Sequence, residues 1–214
     1  MSFETSIQPP SAWEFFLAKY QQQLLVTLGV LLLLLLGGIT IFFLEHHRNS
    51  MATQLLAVAE DPKGWQEVID HYPHSMAAAD AMLLLAQSER DSGDIEAANR
   101  TYALFLDRFP KNVLAINAII GRAVNDDLKG DAVASANTYG RAAGSYPSSY
   151  AASLALMSQA RLLARLGKLS EMQQVVRNLT KNYSDSIAAS VMQQQLRSSQ
   201  EGVSRIVGPP VAAP

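Results

Sequence analysis

Residues 79–112 read ADAMLLLAQSERDSGDIEAANRTYALFLDRFPKN, which is two helical patterns separated by Gly93. In both patterns the apolar residues recur at three- and four-residue spacing, as on the buried face of an amphipathic helix. They are Met82, Leu85 and Ala86 before the glycine and Ala98, Tyr102 and Phe105 after it. Glycine tolerates the left-handed φ that a sharp turn between helices requires. This stretch therefore predicts a helical hairpin.

The same punctuation recurs along the chain in steps of 37 residues. The repeated glycines are Gly93, Gly130 and Gly167, and the repeated aromatic loops are Tyr72-Pro73, Phe109-Pro110, Tyr146-Pro147 and Tyr183-Ser184. Each loop is followed by a residue that commonly caps a helix N-terminus: Ser75, Asn112, Ser149 and Ser186. Two markers with one period indicate a repeated hairpin, and neither helix of a hairpin can bury its apolar stripe without its neighbours.

The unit at 79–112 resembles a tetratricopeptide repeat, because its small and large residues fall where that family places its signature. They are Leu85, Ala86, Ala98, Tyr102 and Pro110. The expected fold is all-α: one N-terminal transmembrane helix followed by a tetratricopeptide-like α-solenoid with a 37-residue period. We place the repeat domain at 45–201, with full units at about 79–112, 116–149 and 153–186 and half-units on either side. The Pro-rich tail at 202–214 is expected to be flexible, either extended or disordered unless it is bound.

The segment 24–44 is expected to be the membrane span. It contains 21 residues without a charge, which as a helix reach about 31 Å, close to the thickness of a bilayer core. A cleavable signal peptide is the alternative, but its apolar core would be shorter and its start, here 1–23, more basic. We favour an uncleaved, single-pass anchor. The few flanking cations, Lys19, Arg48 and Lys63, do not decide its orientation.

Composition excludes several classes of function. The chain has no cysteine, which excludes disulfides and thiolate chemistry. Charged residues make up 17% of the chain and its net charge is -2, so we expect no nucleic-acid partner. His71 and His74 flank a proline and are not accompanied by further ligands, so they are interpreted as loop residues and not as a metal site. We expect no enzyme, no cofactor and no small-molecule substrate.

As a whole, the layout resembles membrane-anchored tetratricopeptide proteins similar to the ancillary subunit of the bacterial Sec translocon. That resemblance implies a bacterial inner-membrane protein whose C-terminal repeat domain is periplasmic and whose partners are proteins. It implies a scaffold or co-chaperone that holds clients or partner proteins beside a membrane complex such as the translocon. The alternative is a constitutive accessory subunit of another membrane complex, in which the repeat is only a packing surface.

By the same resemblance, the first helix of each hairpin lines a concave groove that binds proteins. The positions expected to face it are Leu83, Gln87, Arg90, Ile120, Leu154, Met157, Arg161 and Arg165. Apolar residues with arginines at the edges would suit an amphipathic or unfolded segment. The alternative is that these side chains pack against neighbouring helices and leave no groove.

Overall fold

The computed structural model describes the backbone of residues 12–207, and within that range the side chains of 12–18, 21, 22, 24 and 199–207 are not described. The predicted segments 1–23 and 202–214 therefore lie partly outside the described residues. The chain divides into two compact units, Met1–Met51 and Ala52–Pro214. The boundary falls seven residues after the predicted end of the membrane span.

Within the described range the chain forms nine helices and no strand, which confirms the all-α class. The helices are α1 (Ala12–Val58), α2 (Pro62–His71), α3 (Met76–Asp91), α4 (Ile95–Arg108), α5 (Ala115–Leu128), α6 (Ala132–Ser145), α7 (Tyr150–Arg165), α8 (Leu169–Asn182) and α9 (Ile187–Val207). From α3 onwards they form the predicted hairpins, each with a first helix and a second helix. Because α9 continues to Val207, the last helix is six residues longer than the predicted boundary at Glu201.

The first unit is the N-terminal part of α1. Its side chains from Leu25 to Leu44 are exposed, and the stretch Leu25–Val58 is long and apolar enough to cross a membrane. A signal sequence would have the same property. The hydroxyls of Thr27 and Thr40 donate to backbone carbonyls one turn earlier at 2.8 Å, so their polar atoms are satisfied within the helix.

The glycine turns have the predicted geometry. Gly93, Gly130 and Gly167 have φ values of 90°, 86° and 73°, in the left-handed region that favours glycine. At the first turn, the Gly93 amide donates to the Arg90 carbonyl and the Asp94 amide to the Glu89 carbonyl, both at 2.9 Å. This is a Schellman motif, and the other two turns repeat it. The three turns define one edge of the repeat unit, here called the glycine edge.

Helix capping follows the prediction at three of four loops. The hydroxyls of Ser75, Ser149 and Ser186 accept amide protons of the helices that they precede. Asn112 differs: its Oδ1 accepts from the Leu114 amide at 2.8 Å, and Leu114 itself precedes α5 without a side-chain cap. Consequently α5 has 14 residues, whereas α3 and α7 have 16. The period of 37 residues exceeds the roughly 34 residues of a standard unit. The extra residues lengthen the first helix in the hairpins of α3 and α7, and the loop before the helix in the hairpin of α5.

The aromatic loops define the opposite edge, here called the loop edge. Each loop aromatic ends a second helix, and two of them also join neighbouring hairpins. The Tyr146 hydroxyl donates to the Pro110 carbonyl at 3.2 Å, and the Tyr183 hydroxyl to the Pro147 carbonyl at 2.9 Å. Phe109 has no hydroxyl and lacks this hydrogen bond. The loops therefore stack into a ladder along one edge of the repeat unit.

The core of the repeat unit is built mainly from alanine, so its helices pack closely around a few large side chains. The largest fully buried apolar residues are Phe105, Met82, Ile116, Leu179 and Val68. Such a core leaves little room for extra volume, because protein interiors are packed as densely as organic crystals.

Candidate functional site

The first helices α3, α5, α7 and α9 form the inner layer of the repeat unit. Each of them approaches the next directly, whereas α4, α6 and α8 do not approach one another. Helices that converge on one side of a solenoid make that side concave. Each of the eight predicted groove residues belongs to a first helix and thus to this inner layer.

The four apolar groove residues are half-buried. Leu83 packs against the core cluster around Met82 and Phe105. Ile120, Leu154 and Met157 pack against the cluster around Leu156 and Leu179. Part of each side chain thus stabilises the core, and the rest remains accessible at the inner surface. Their burial alone does not distinguish a groove from a packing surface, so the groove stays a prediction.

Arg90 is positioned by the structure and does not lie free at the groove edge. Its side chain is only 17% exposed, and its Nη1 donates to the Tyr102 hydroxyl of α4 at 3.3 Å. Its Nε is 3.6 Å from a carboxylate oxygen of Asp91. Arg90 is therefore held in place by a second helix and by its own neighbour.

The Tyr102 ring that receives Arg90 lies against Gly121 of α5. A Cβ added at Gly121 would be 2.3 Å from Tyr102 Cζ and 2.6 Å from its hydroxyl oxygen. Burial raises the pKa of Tyr102, while the Arg90 charge and hydrogen bond oppose that rise. Gly121, in the next hairpin, thus leaves room for the tyrosine ring in the position where its hydroxyl accepts a hydrogen bond from Arg90.

A recess of about 280 Å³ lies in the inner layer between α5 and α7. Its lining residues are Asp127, Tyr139, Ser158, Arg161, Leu162 and Arg165. Arg165 forms an ion pair with Asp127, so its charge is neutralised across the recess. Arg161 is exposed, and no partner of its guanidinium is found in the described part of the chain. The recess brings together two of the predicted groove residues and offers one cation to a ligand.

Tyr139 forms the wall of this recess and is linked to both neighbouring hairpins. Burial raises its pKa, a hydrogen bond with Ser158 lowers it, the Asp127 carboxylate raises it and the Arg90 charge lowers it. Tyr139 of α6 therefore lies at the recess together with residues of α5 and α7.

Two hydrogen bonds between helices were not predicted from the sequence. The Thr101 hydroxyl donates to Glu89 at 2.7 Å, and the Thr138 hydroxyl donates to Asp126 at 3.0 Å. Both pairs occupy the same repeat positions, four residues before and eight after the turn glycine, so a comparison of the units could have found them.

Asn125 is a buried polar residue of α5 with no exposed surface. Its amide donates to Asn99 Oδ1 at 2.8 Å, while its own Oδ1 has no hydrogen-bond partner. A buried amide that is half satisfied costs free energy, and here it joins α4 to α5.

His71 is the last residue of α2 and His74 lies in the loop that follows; both are exposed. The His71 Nδ1 lies 2.9 Å from the Glu67 carbonyl, one turn earlier in α2. Among the described residues, no group of three or more histidines and carboxylates could hold a metal ion.

Comparison with known proteins agrees with the hairpin geometry. Residues 80–112 match the family model of the tetratricopeptide repeat. No curated protein matches the chain. The matched residues cover α3, α4 and the glycine turn between them, apart from the first turn of α3. The chain is thus an all-helical protein that contains a tetratricopeptide repeat, a module that binds proteins.

Proposed function

We propose that this chain is a membrane-tethered scaffold that binds client polypeptides or partner proteins through the inner layer of its repeat unit. The observation that carries the proposal is the tetratricopeptide repeat at 80–112, whose first helix belongs to that layer. Solenoids of helical hairpins use their concave surface for extended protein contacts. Such binding needs no catalytic group, and we propose that the chain is not an enzyme.

The apolar part of α1 supports the tether. In the proposal it is an uncleaved span at 24–44, with its repeat unit on the periplasmic face of a bacterial inner membrane. The layout of one span and one repeat domain is similar to that of the ancillary translocon subunits. On that resemblance, the translocon is the membrane complex that we propose as its neighbour.

The chemistry of the inner layer defines the segments that it would bind. Leu154 and Met157 expose part of their apolar side chains on α7, two turns and one turn before the uncompensated cation of Arg161. Methionine adapts its shape to different apolar partners. An amphipathic segment with an acidic residue at its edge would match this combination.

Affinity capture from gentle detergent tests the proposal. The variant Gln87→Glu, Arg161→Glu adds negative charge at two exposed inner-layer positions. The matched control, Gln174→Glu, Arg177→Glu, makes the same changes at exposed positions of the second helix α8. We expect the inner-layer variant to reduce recovery of partners about tenfold, which corresponds to about 1.4 kcal/mol, and the control to retain them. Equal recovery from both variants would refute inner-layer binding.

The half-burial of Leu83, Ile120, Leu154 and Met157 favours one alternative function. If these side chains serve mainly the core, the repeat unit is a packing surface in a permanent membrane assembly. A single partner that co-purifies in fixed stoichiometry and does not exchange would support this accessory-subunit function. Many partners that exchange rapidly would support the scaffold.

A further inference from the structure

Four large apolar residues occupy the same position in successive hairpins and are exposed in all of them. They are Met76, Val113, Tyr150 and Ile187, each 37 residues from the next, with exposed fractions of 59%, 80%, 67% and 65%. We call them the apolar edge row. Single apolar residues on a protein surface are ordinary, but a contiguous group of them marks an interaction surface. The hairpin fold itself needs no apolar side chain at this position.

Other exposed apolar residues in the described part of the repeat unit do not share a repeat position. Leu128, for example, is 61% exposed near the glycine edge. Its counterparts 37 residues earlier and later are Asp91 and Arg165. The row is therefore not a consequence of an apolar composition.

The row runs along the loop edge. Met76, Tyr150 and Ile187 are the first residues of their helices, and Val113 precedes α5 by two residues. The loops stack on one another, as the contact of 3.8 Å between Asn112 Nδ2 and Met76 Sδ shows. With packed helices about 10 Å apart, the four side chains extend over roughly 30 Å.

The surroundings of the row are electrically neutral. In the four loop segments 72–76, 109–113, 146–150 and 183–187, the formal charges are Lys111 and Asp185, one of each sign. A recess of about 420 Å³ between the last two of these loops adds space beside Tyr150. Such a row suits an uncharged apolar environment, and it gives a charged partner little to bind.

Covalent connection places the loop edge within reach of a bilayer. The chain enters the repeat unit at Ala52, runs to Val58, turns through three residues and returns along α2 to the loop edge. Between Leu44 and Ala52 eight residues reach at most about 29 Å, whatever their conformation. The glycine edge lies about one helix length, roughly 24 Å, further along the hairpins.

We propose that the apolar edge row inserts into the lipid interface of the membrane that holds α1. This inference rests on the tether in the proposed function. Tyrosine and aliphatic side chains are suited to the boundary between headgroups and acyl chains. Because the tether makes the contact intramolecular, a few apolar side chains are sufficient to hold the loop edge at the surface. The concave inner layer then opens along the membrane, where a partner in the same bilayer can reach it.

The absence of native cysteine makes the proposal directly testable with single spin labels. The full chain, reconstituted in phosphatidylcholine vesicles, carries one cysteine at a time: Val113→Cys or Ile187→Cys in the row, Leu128→Cys or Leu169→Cys as exposed apolar controls near the glycine edge. The collision rate of each label is then measured with oxygen, which concentrates in lipid, and with a nickel chelate, which stays in water. We expect the ratio of oxygen to nickel collisions to be about tenfold higher in the row than at the controls.

Two other results would overturn the proposal in distinguishable ways. If the row labels meet nickel as freely as the controls, the loop edge lies in water. If they are shielded from both reagents, a second copy of the chain or another protein covers the row. A label at Leu33→Cys tests the tether separately. If this label lies in water, the span in the proposed function fails as well. If it lies in lipid while the row labels do not, only the edge proposal is lost.

Discussion

Gly121→Ala is expected to destabilise the repeat unit although it removes a glycine from a helix interior. In an unconstrained helix this change stabilises by about 0.5–1 kcal/mol. Here the new Cβ would lie 2.3 Å from Tyr102 Cζ, so the ring must move and release the 3.3 Å hydrogen bond from Arg90. Overpacking costs about 1–3 kcal/mol, and a hydrogen bond to a charged group contributes roughly 1.5–3 kcal/mol.

The two costs less the helix gain give a net loss of about 1.5–5.5 kcal/mol in the free energy of unfolding. For a unit of this size each kcal/mol of that loss lowers Tm by roughly 2–4 °C. Thermal and urea unfolding of the full chain in detergent, followed by far-ultraviolet circular dichroism, measure it. The matched control is Gly144→Ala in α6, where an added Cβ meets no atom within 4 Å and stability should not fall.

A double-mutant cycle identifies the cause of the loss. In a Tyr102→Leu background the ring is absent, so the cost of Gly121→Ala should decrease. If Gly121→Ala is as stable as the Gly144→Ala control, or costs the same with and without the Tyr102 ring, the reasoning from close packing is refuted.

Three further changes, with one control, test the loop ladder and one partly buried carboxylate. Tyr183→Phe removes the hydroxyl that donates to Pro147 and should lower the free energy of unfolding by about 0.5–1.5 kcal/mol. Tyr150→Phe, at an exposed tyrosine, should leave it unchanged, and equal losses in urea unfolding would contradict the ladder. Phe109→Tyr adds a hydroxyl at the corresponding position and should raise the urea midpoint; no rise would show that this rung cannot form. Burial raises the pKa of Asp80 above 3.8, so its effect on stability is most favourable below pH 3.8 and is lost as pH rises through the folded-state pKa. Asp80→Asn should therefore raise Tm at neutral pH and lose that advantage below pH 3.8, whereas a pH-independent difference would argue against this cause.

Local features of the fold could be predicted from the sequence because their causes lie within a few residues. A turn that needs a positive φ selects glycine, as at Gly93, and a helix N-terminus selects a residue such as Ser75. Asn112 was the exception, since its side chain forms a turn with Leu114 and delays the start of α5. Turn chemistry competed there with capping.

The inner layer was only partly predictable, because its contacts join residues far apart in sequence. Arg165 pairs with Asp127, 38 residues earlier, and Gly121 accommodates Tyr102 from another hairpin. Apolar periodicity identifies which helix face is buried but not which polar groups meet across it. The half-burial of Leu83 likewise depends on the three-dimensional arrangement of the hairpins.

Photocrosslinking in intact membranes tests the central claim, a protein-binding inner layer, most directly. A photoreactive amino acid replaces Arg161 on α7 in one variant and the exposed Arg177 on α8 in the other. The account predicts polypeptide adducts from position 161 and few or none from position 177. Adducts of equal yield from both positions, or none from position 161, would contradict it.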